Sequence, residues 1–217
     1  MKTNGARFLE SLGIPFELRE YEIDPHNPDD LTAIAVARKI GMPAEQVFKT
    51  LLTTGAPSDR SSLGYEYAFA VIPGDAALDF KKLARATAGV PIDRSSSMGW
   101  SVGWRKAEMA PLKDVQPLTG YIRGGVTVFG AKKPFPVFVD ETAILFDKIS
   151  VSAGTRGTQL ILSPQDYIRA TEAQTADLTK SAAPPSTDCH PERPGAQRRG
   201  VEGSAVSFSD STPEGRA

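Results

Sequence analysis

Apolar and polar positions alternate along this chain in two rhythms, one helical and one strand-like. Asn4 is placed to cap a first helix running to Leu12, with Gly13 to end it. Phe16–Tyr21 alternates as a strand does. DPHNP (24–28) reads as a loop, and Asp30 as the cap of a second helix that ends at Ile40 before Gly41. Val47–Thr53 and Tyr65–Ile72 read as strands on either side of a polar loop, GAPSDRSSLG (55–64). Asp79 caps a helix, FKKLARATA, whose Lys81, Lys82 and Arg85 are expected on one exposed flank. Residues 89–106 show no clear period. Leu112–Gln116 reads as a helical turn, and GYIRGGVTVFGAKKPFPVFVD (120–140) as a glycine-punctuated segment running into a β-rich stretch. Lys148–Ser152 and Thr158–Leu162 read as two further strands around AGTRG (153–157). Ser163 and Asp166 open a last helix, SPQDYIRATEAQ.

One residue breaks the strand pattern. In EQVFKTLLTT (45–54), alternation puts Val47, Lys49 and Leu51 on one face and Phe48, Thr50 and Leu52 on the other. An ammonium in such a run costs several kcal/mol unless it is paired or deprotonated. The plain alternative is that the strand starts at Lys49 and the side chain reaches out to water.

Strands and helices intermix without a steady βαβ alternation, which predicts a mixed α+β fold with a mixed sheet or partly closed barrel. No internal repeat is visible. Composition changes near residue 181. Residues 181–217 hold five of the 17 prolines with little apolar periodicity, and are expected to be a disordered Pro/Ser/Gly-rich tail after a domain spanning 1–180. SSSMGWSVGW (95–104) reads as a loop inserted in that domain. Its tryptophans are expected to cover the domain's own apolar surface or to meet a partner.

With 40% hydrophobic and 24% charged residues, the chain falls in the soluble globular class. No apolar run approaches the ~20 residues of a membrane helix. The N-terminus lacks the apolar core of a secretory signal, so a cytoplasmic location is expected and no membrane partner. The single cysteine, Cys189, and the two histidines, His26 and His190, exclude an internal disulfide and a Cys/His zinc site. A Ser-His-Asp or Cys-His arrangement would need His26 or the adjacent Cys189–His190, the latter inside the tail. Chemistry is therefore left to Lys, carboxylates, hydroxyls and backbone amides. No metal and no cofactor is expected.

Four features qualify: Lys49-Thr50; Gly124-Gly125, where backbone N–H groups can approach a ligand oxygen; the run Ser152-Ala153-Gly154-Thr155-Arg156-Gly157; and Tyr21-Glu22. Taken singly, each is also what an ordinary turn or hairpin offers. Their order is more specific. YEIDP (21–25), ARKIGMPAEQVFKTLL (37–52), AFAVIPGDAALDFKKLARA (68–86), GYIRGGVTVFGAKK (120–133) and VSAGTRGTQLILSPQDYI (151–168) together resemble the YbaK family. Its members are free-standing aminoacyl-tRNA deacylases related to the editing domain inserted in bacterial prolyl-tRNA synthetases.

The resemblance implies a β-barrel-like mixed sheet flanked by helices, and hydrolysis of the ester between a wrong amino acid and the tRNA 3′ end, with Cys-tRNA(Pro) foremost. It implies Lys49 as the catalytic residue. Tyr21 and Ser152 are implied around the same pocket, with Gly124 and Gly125 supplying backbone contacts; Thr50, Gly154 and Arg156, from the four features themselves, are expected to bind substrate with them. The implied partner is the aminoacylated 3′ end of tRNA, with prolyl-tRNA synthetase as a second candidate. Two positions depart from the family: Val128 stands where related domains often carry the proline of a GxxxP loop, and Gln159 where some carry an acid.

Charge does not decide the partner. Residues 181–217 carry four arginines against five acids, which leaves 21 basic and 21 acidic residues in 1–180. A neutral domain needs local patches to meet a polyanion, and Lys81/Lys82/Arg85, Lys132/Lys133 and Arg156 are the candidates. Arg198 and Arg199 are a weaker basic pair in the tail. Two other readings stay open: a non-catalytic tRNA- or synthetase-binding module with the same fold, and a lysine Schiff-base enzyme, for which cofactor-binding partners are missing.

Overall fold

Helix α1 (Asn4–Ser11) is capped by Thr3, whose hydroxyl accepts a hydrogen bond from Ala6 N at 3.2 Å. Asn4, the expected cap, lies one residue inside and accepts from Arg7 Nη2 instead. The computed structural model describes residues 2–24, 26–57, 66–88 and 103–180. The expected tail beyond 180, with Cys189, His190, Arg198 and Arg199, and residues 95–102 of the expected insertion lie outside the described residues.

Strand β1 (Glu17–Glu20) follows, then a 3-10 turn at Pro28–Leu31 and helix α2 (Ala33–Ile40). The cap of α2 is Thr32, accepting from Ala35 N at 3.2 Å. Asp30, the expected cap, sits in the 3-10 turn, where its carboxylate accepts from Asp24 N at 2.8 Å and from Lys39 Nζ at 2.5 Å. Strand β2 (Phe48–Pro57) runs further than expected and takes up the start of the predicted 55–64 loop. Strand β3 (Tyr67–Pro73) pairs with it antiparallel, with Lys49 opposite Ile72. Helix α3 (Phe80–Ala88) is capped as expected, because the Asp79 carboxylate accepts from Lys81 N and Lys82 N. Its basic flank is only partly free: Lys82 Nζ is 2.7 Å from Asp177 and donates to Thr179 O.

Strand β4 (Trp104–Met109) emerges from the stretch with no clear period, and pairs antiparallel with β2. Trp104 is buried and lies across Gly55, where a Cβ would stand 2.1 Å from the indole. Only glycine leaves that space. Trp104 thus covers the domain's own apolar surface, one of the two expectations for it. Helix α4 (Leu112–Thr119) extends the expected turn, and strands β5 (Val137–Asp140), β6 (Ile149–Ser152) and β7 (Thr158–Leu162) follow. Helix α5 (Pro164–Thr171) starts on the Ser163–Asp166 pair. It stops earlier than the sequence suggests: Glu172 turns left-handed, and Gln174 opens strand β8 (Gln174–Ala176).

The strands form two sheets, β1-β7-β6, which is antiparallel throughout, and β4-β2-β3-β5-β8, which is mixed. β3–β5 and β5–β8 are the parallel pairs. A parallel bridge from Val47 to Ser150 joins the sheets. They do not close into a barrel. This is the expected mixed α+β, barrel-like architecture. The main core lies between the sheets, where Phe48, Leu52, Phe69, Val71, Val139, Val151 and Leu160 meet α1 and α5. The opposite face of β3, with Ala68, Ala70 and Ile72, packs on Leu83 of α3, Trp104 and Leu178. Buried on both sides, β3 reads as the continuous apolar run AFAVI. A small third cluster (Val36, Ala37, Ile40, Val47) fixes α2 to the start of β2. Among the described residues no helix is long and apolar enough to cross a membrane.

Candidate active site

Lys49 sits near the start of β2, two residues after the Val47 bridge that links the two sheets. Its ammonium donates to two backbone carbonyls of the turn after β3, Gly74 O at 3.0 Å and Ala76 O at 2.7 Å. Gly74 is the residue that lets the turn come this near, since a Cβ there would be 2.8 Å from Val47 O. The side chain is half-buried, and burial lowers its pKa below the usual lysine value of 10.5, while the Asp75 carboxylate opposes that shift. The sequence puzzle resolves in an arrangement between its two readings: Lys49 neither reaches out to water nor pairs directly with an acid. Two carbonyls hold it by two of its three N–H groups, leaving the third to donate elsewhere.

Lys49 lines a cleft of about 660 Å3. Thr50, Gly124 and Ser152, three of the other expected residues, line it too, together with Gln159. The Thr50 hydroxyl is shielded from solvent and has no hydrogen-bond partner among the described residues. A buried hydroxyl without a partner is an unsatisfied group in the cleft wall. Ser152 Oγ accepts a long hydrogen bond from Gly154 N at 3.4 Å. Gln159 is buried opposite Ser152 across the β6–β7 ladder, and its Oε1 accepts from Ser150 Oγ at 3.2 Å. Gln159 brings a neutral amide to the cleft in place of a carboxylate.

The glycine turn forms another wall. Gly124 has φ +87°, and a Cβ there would be 3.1 Å from Leu31 and 3.4 Å from Arg156 Nε. Gly125 lies on the backbone of Thr155 and Arg156, within 3.3 Å of where its Cβ would stand. The turn is thus pressed against the SAGTRG loop, and Arg156 Nε pins it by donating to Arg123 O at 2.9 Å. Gly125 and Arg156 belong to this braced contact, and neither they nor Gly154 line the cleft. Gly154 carries φ +98° and faces the Tyr121 ring.

Tyr21 stands apart from the lining. Its N–H donates to Gly157 O at 2.9 Å, which prolongs the β1–β7 ladder, and its ring packs on the third cluster. Val128 packs against the main core, and Val126 takes the place in the cleft wall.

Sequence reasoning missed the rim. Leu31 and Ile34 border the cleft on one side, Met109 and Leu112 on another, and Ile34, Met109 and Leu112 are all exposed. It also missed Arg123, which lines the cleft and is exposed. The signal for Arg123 was present, a cation directly before two glycines in GYIRGG. Among the described residues, no cluster of three His, Cys, Asp or Glu side chains is grouped to hold a metal ion.

The family profile described as aminoacyl-tRNA editing domain matches residues 99–170. A protein of Enterococcus faecalis named "Putative Cys-tRNA(Pro)/Cys-tRNA(Cys) deacylase EbsC" is 38% identical over 178 residues, covering 82% of this chain and 93% of that protein. Two crystal structures superpose with a TM-score of 0.62 at 22% identity: "a putative trans-editing enzyme for prolyl tRNA synthetase" (83% of this chain, 99% of that one) and "hypothetical protein APE2540" (82% and 99%). At that identity the two structures establish the shared fold alone.

Proposed function

The chain belongs to the aminoacyl-tRNA editing domain family, and from that membership we propose that it is a trans-acting deacylase that removes a wrong amino acid from tRNA, with Cys-tRNA(Pro) as leading substrate. The observation that carries the site assignment is the clamped Lys49 ammonium in the wall of a largely apolar cleft, with Thr50, Gly124 and Ser152 around it.

In this reading the ester carbonyl, or the ribose next to it, accepts the free N–H of Lys49. The ammonium is already held by Gly74 O and Ala76 O, so little reorganisation is needed as charge develops on the carbonyl oxygen. The ammonium is half-buried, and the contact is stronger there than in bulk. Thr50 Oγ1 and Ser152 Oγ hold the ribose hydroxyl and the amino group. Gly124 lets the backbone approach the substrate. Apolar walls from Val36, Leu52, Val115 and Val126 suit a small uncharged side chain, and desolvation disfavours a charged one.

No protein nucleophile is required, since an aminoacyl ester is activated and orientation supplies much of the rate. With a cysteinyl ester the substrate thiol attacks its own carbonyl. A C–S bond forms, the C–O bond to the ribose breaks, and the thiol proton passes to the departing ribose oxygen, leaving a cyclic thioester. With an alanyl ester a positioned water takes the thiol's place. The setting is the cytoplasm, where tRNA is charged, and prolyl-tRNA synthetase is the partner proposed to deliver substrate.

Single-turnover deacylation of Cys-tRNA(Pro) and Ala-tRNA(Pro) tests the proposal. The intact protein is expected to cleave the cysteinyl ester well above the spontaneous rate, and Lys49→Ala to lose about 100-fold or more of that gain, as removal of a main oxyanion donor does. An intact protein that leaves both esters at the spontaneous rate overturns the Cys-tRNA(Pro) assignment and leaves either editing of another amino acid or a binding module with this fold.

A further inference from the structure

We propose that Arg123 binds the phosphodiester that leads into the cleft, and so sets affinity for an RNA-borne ester over a free nucleoside ester. This rests on the deacylase reading of the cleft. Arg123 lines the cleft and is exposed, which puts its side chain at the mouth. Its backbone is fixed: Arg156 Nε donates to Arg123 O at 2.9 Å, and Gly125 N closes the turn on Ile122 O at 2.9 Å.

The guanidinium itself has no hydrogen-bond or ion-pair partner among the described residues. That sets it apart from Arg19, Lys39, Lys82 and Arg169, each of which lies against a carboxylate. The Pro28–Leu31 turn carries two acids, Asp29 and Asp30, and neither pairs with Arg123; Asp30 is taken by Lys39. Lys49, deeper in, is engaged with carbonyls. A braced turn presenting an unpaired guanidinium is preorganised for an anion, and the planar fork matches two phosphate oxygens.

Size selects which anion. A cleft of about 660 Å3 accommodates an aminoacyl nucleoside, since pockets of ~300–1,000 Å3 bury drug-sized ligands. With the ester at Lys49 and the terminal nucleoside enclosed, the next group toward the mouth is the phosphodiester on the 5′ side. Arg123 is the unpaired cation that lines the way out.

The test compares Cys-tRNA(Pro) with the cysteinyl ester of adenosine, which has no phosphate, for the full chain and for Arg123→Ala and Arg123→Lys. For Cys-tRNA(Pro), Arg123→Ala is expected to raise KM about tenfold with kcat little changed. It is also expected to flatten the log KM against log salt slope by about one. Arg123→Lys falls between, and neither variant changes the kinetics of cysteinyl adenosine. An equal loss on both esters, or no loss on Cys-tRNA(Pro), overturns the role of Arg123 while the deacylase reading stands. Intact protein that cleaves neither ester overturns the cysteinyl-deacylase reading on which the role of Arg123 rests.

Discussion

Lys49 is held by carbonyls, and that has a measurable consequence in pH. Burial penalises its ammonium, so the native lysine gives up its proton at a lower pH than the ordinary 10.5. If the charged form polarises the ester, enzymatic deacylation, after subtraction of the spontaneous alkaline reaction, falls on a limb centred below 10.5. Stability moves the opposite way. Over that window the unfolded chain binds more protons than the native one, so unfolding free energy rises with pH. A pH–rate profile under single-turnover conditions, paired with urea unfolding across the same range for intact protein and Lys49→Met, checks both signs. An alkaline limb at or above 10.5 would show that the buried ammonium is not the group in use. The residue was visible in the sequence because a cation interrupts an apolar alternation. Its partners were not, since a carbonyl of Gly74 or Ala76 carries no side-chain signature.

At the level of elements, β4 is the instructive case. Its inward residues are Trp104 and Ala107, three apart, with Arg105, Lys106, Glu108 and Met109 outward, a helix-like spacing in a strand whose pairing with β2 is irregular between Ala56 and Pro57. What holds it is contact with β2, above all the indole lying over Gly55. Gly55→Ala drives a methyl into that ring and is expected to destabilise the domain by about 1–3 kcal/mol, as overpacking does. Chemical denaturation measures it, and a cost below ~0.5 kcal/mol would mean the indole moves aside freely. β1, β2, β3, β6 and β7 and the helices were legible, because alternation, caps and glycine stops are local signals. Two caps were displaced by one or two residues, Thr3 for Asn4 and Thr32 for Asp30, since more than one capping side chain stood within reach and the expected ones are engaged by Arg7 and Lys39 instead. The end of α5 was overrun because a non-glycine residue, Glu172, makes the left-handed turn. Lys49, Thr50, Gly124 and Ser152 were legible as parts of the cleft. The lips at Ile34, Met109 and Leu112 were not, because they come from three elements that only the fold assembles.

Across the whole molecule, the segment around Leu178 ties late residues to early ones. Asp140, buried at the end of β5, accepts from Leu178 N at 3.0 Å and from Thr142 N and Oγ1 at 3.1 and 2.6 Å. Leu178 O accepts from Asp79 N at 2.8 Å, and Lys180 N donates to Ala77 O at 2.9 Å. Asp140→Ala strands buried donors that each carry a desolvation penalty of ~1–3 kcal/mol, and a total loss of about 2–5 kcal/mol is expected from the unfolding midpoint. A loss below ~1 kcal/mol would show that water replaces the carboxylate easily. The same ties limit how the chain folds as it is made. β3, central in its sheet, appears early in synthesis, yet the ladder beyond it is finished only by β8, about a hundred residues later. Until then a growing polypeptide would carry an unpaired strand edge and an uncompensated carboxylate at Asp140, both hazards for aggregation. A ribosome-bound fragment that ends before residue 174 therefore lacks both the β5–β8 pairing and the Leu178 hydrogen bonds to Asp140 and Asp79.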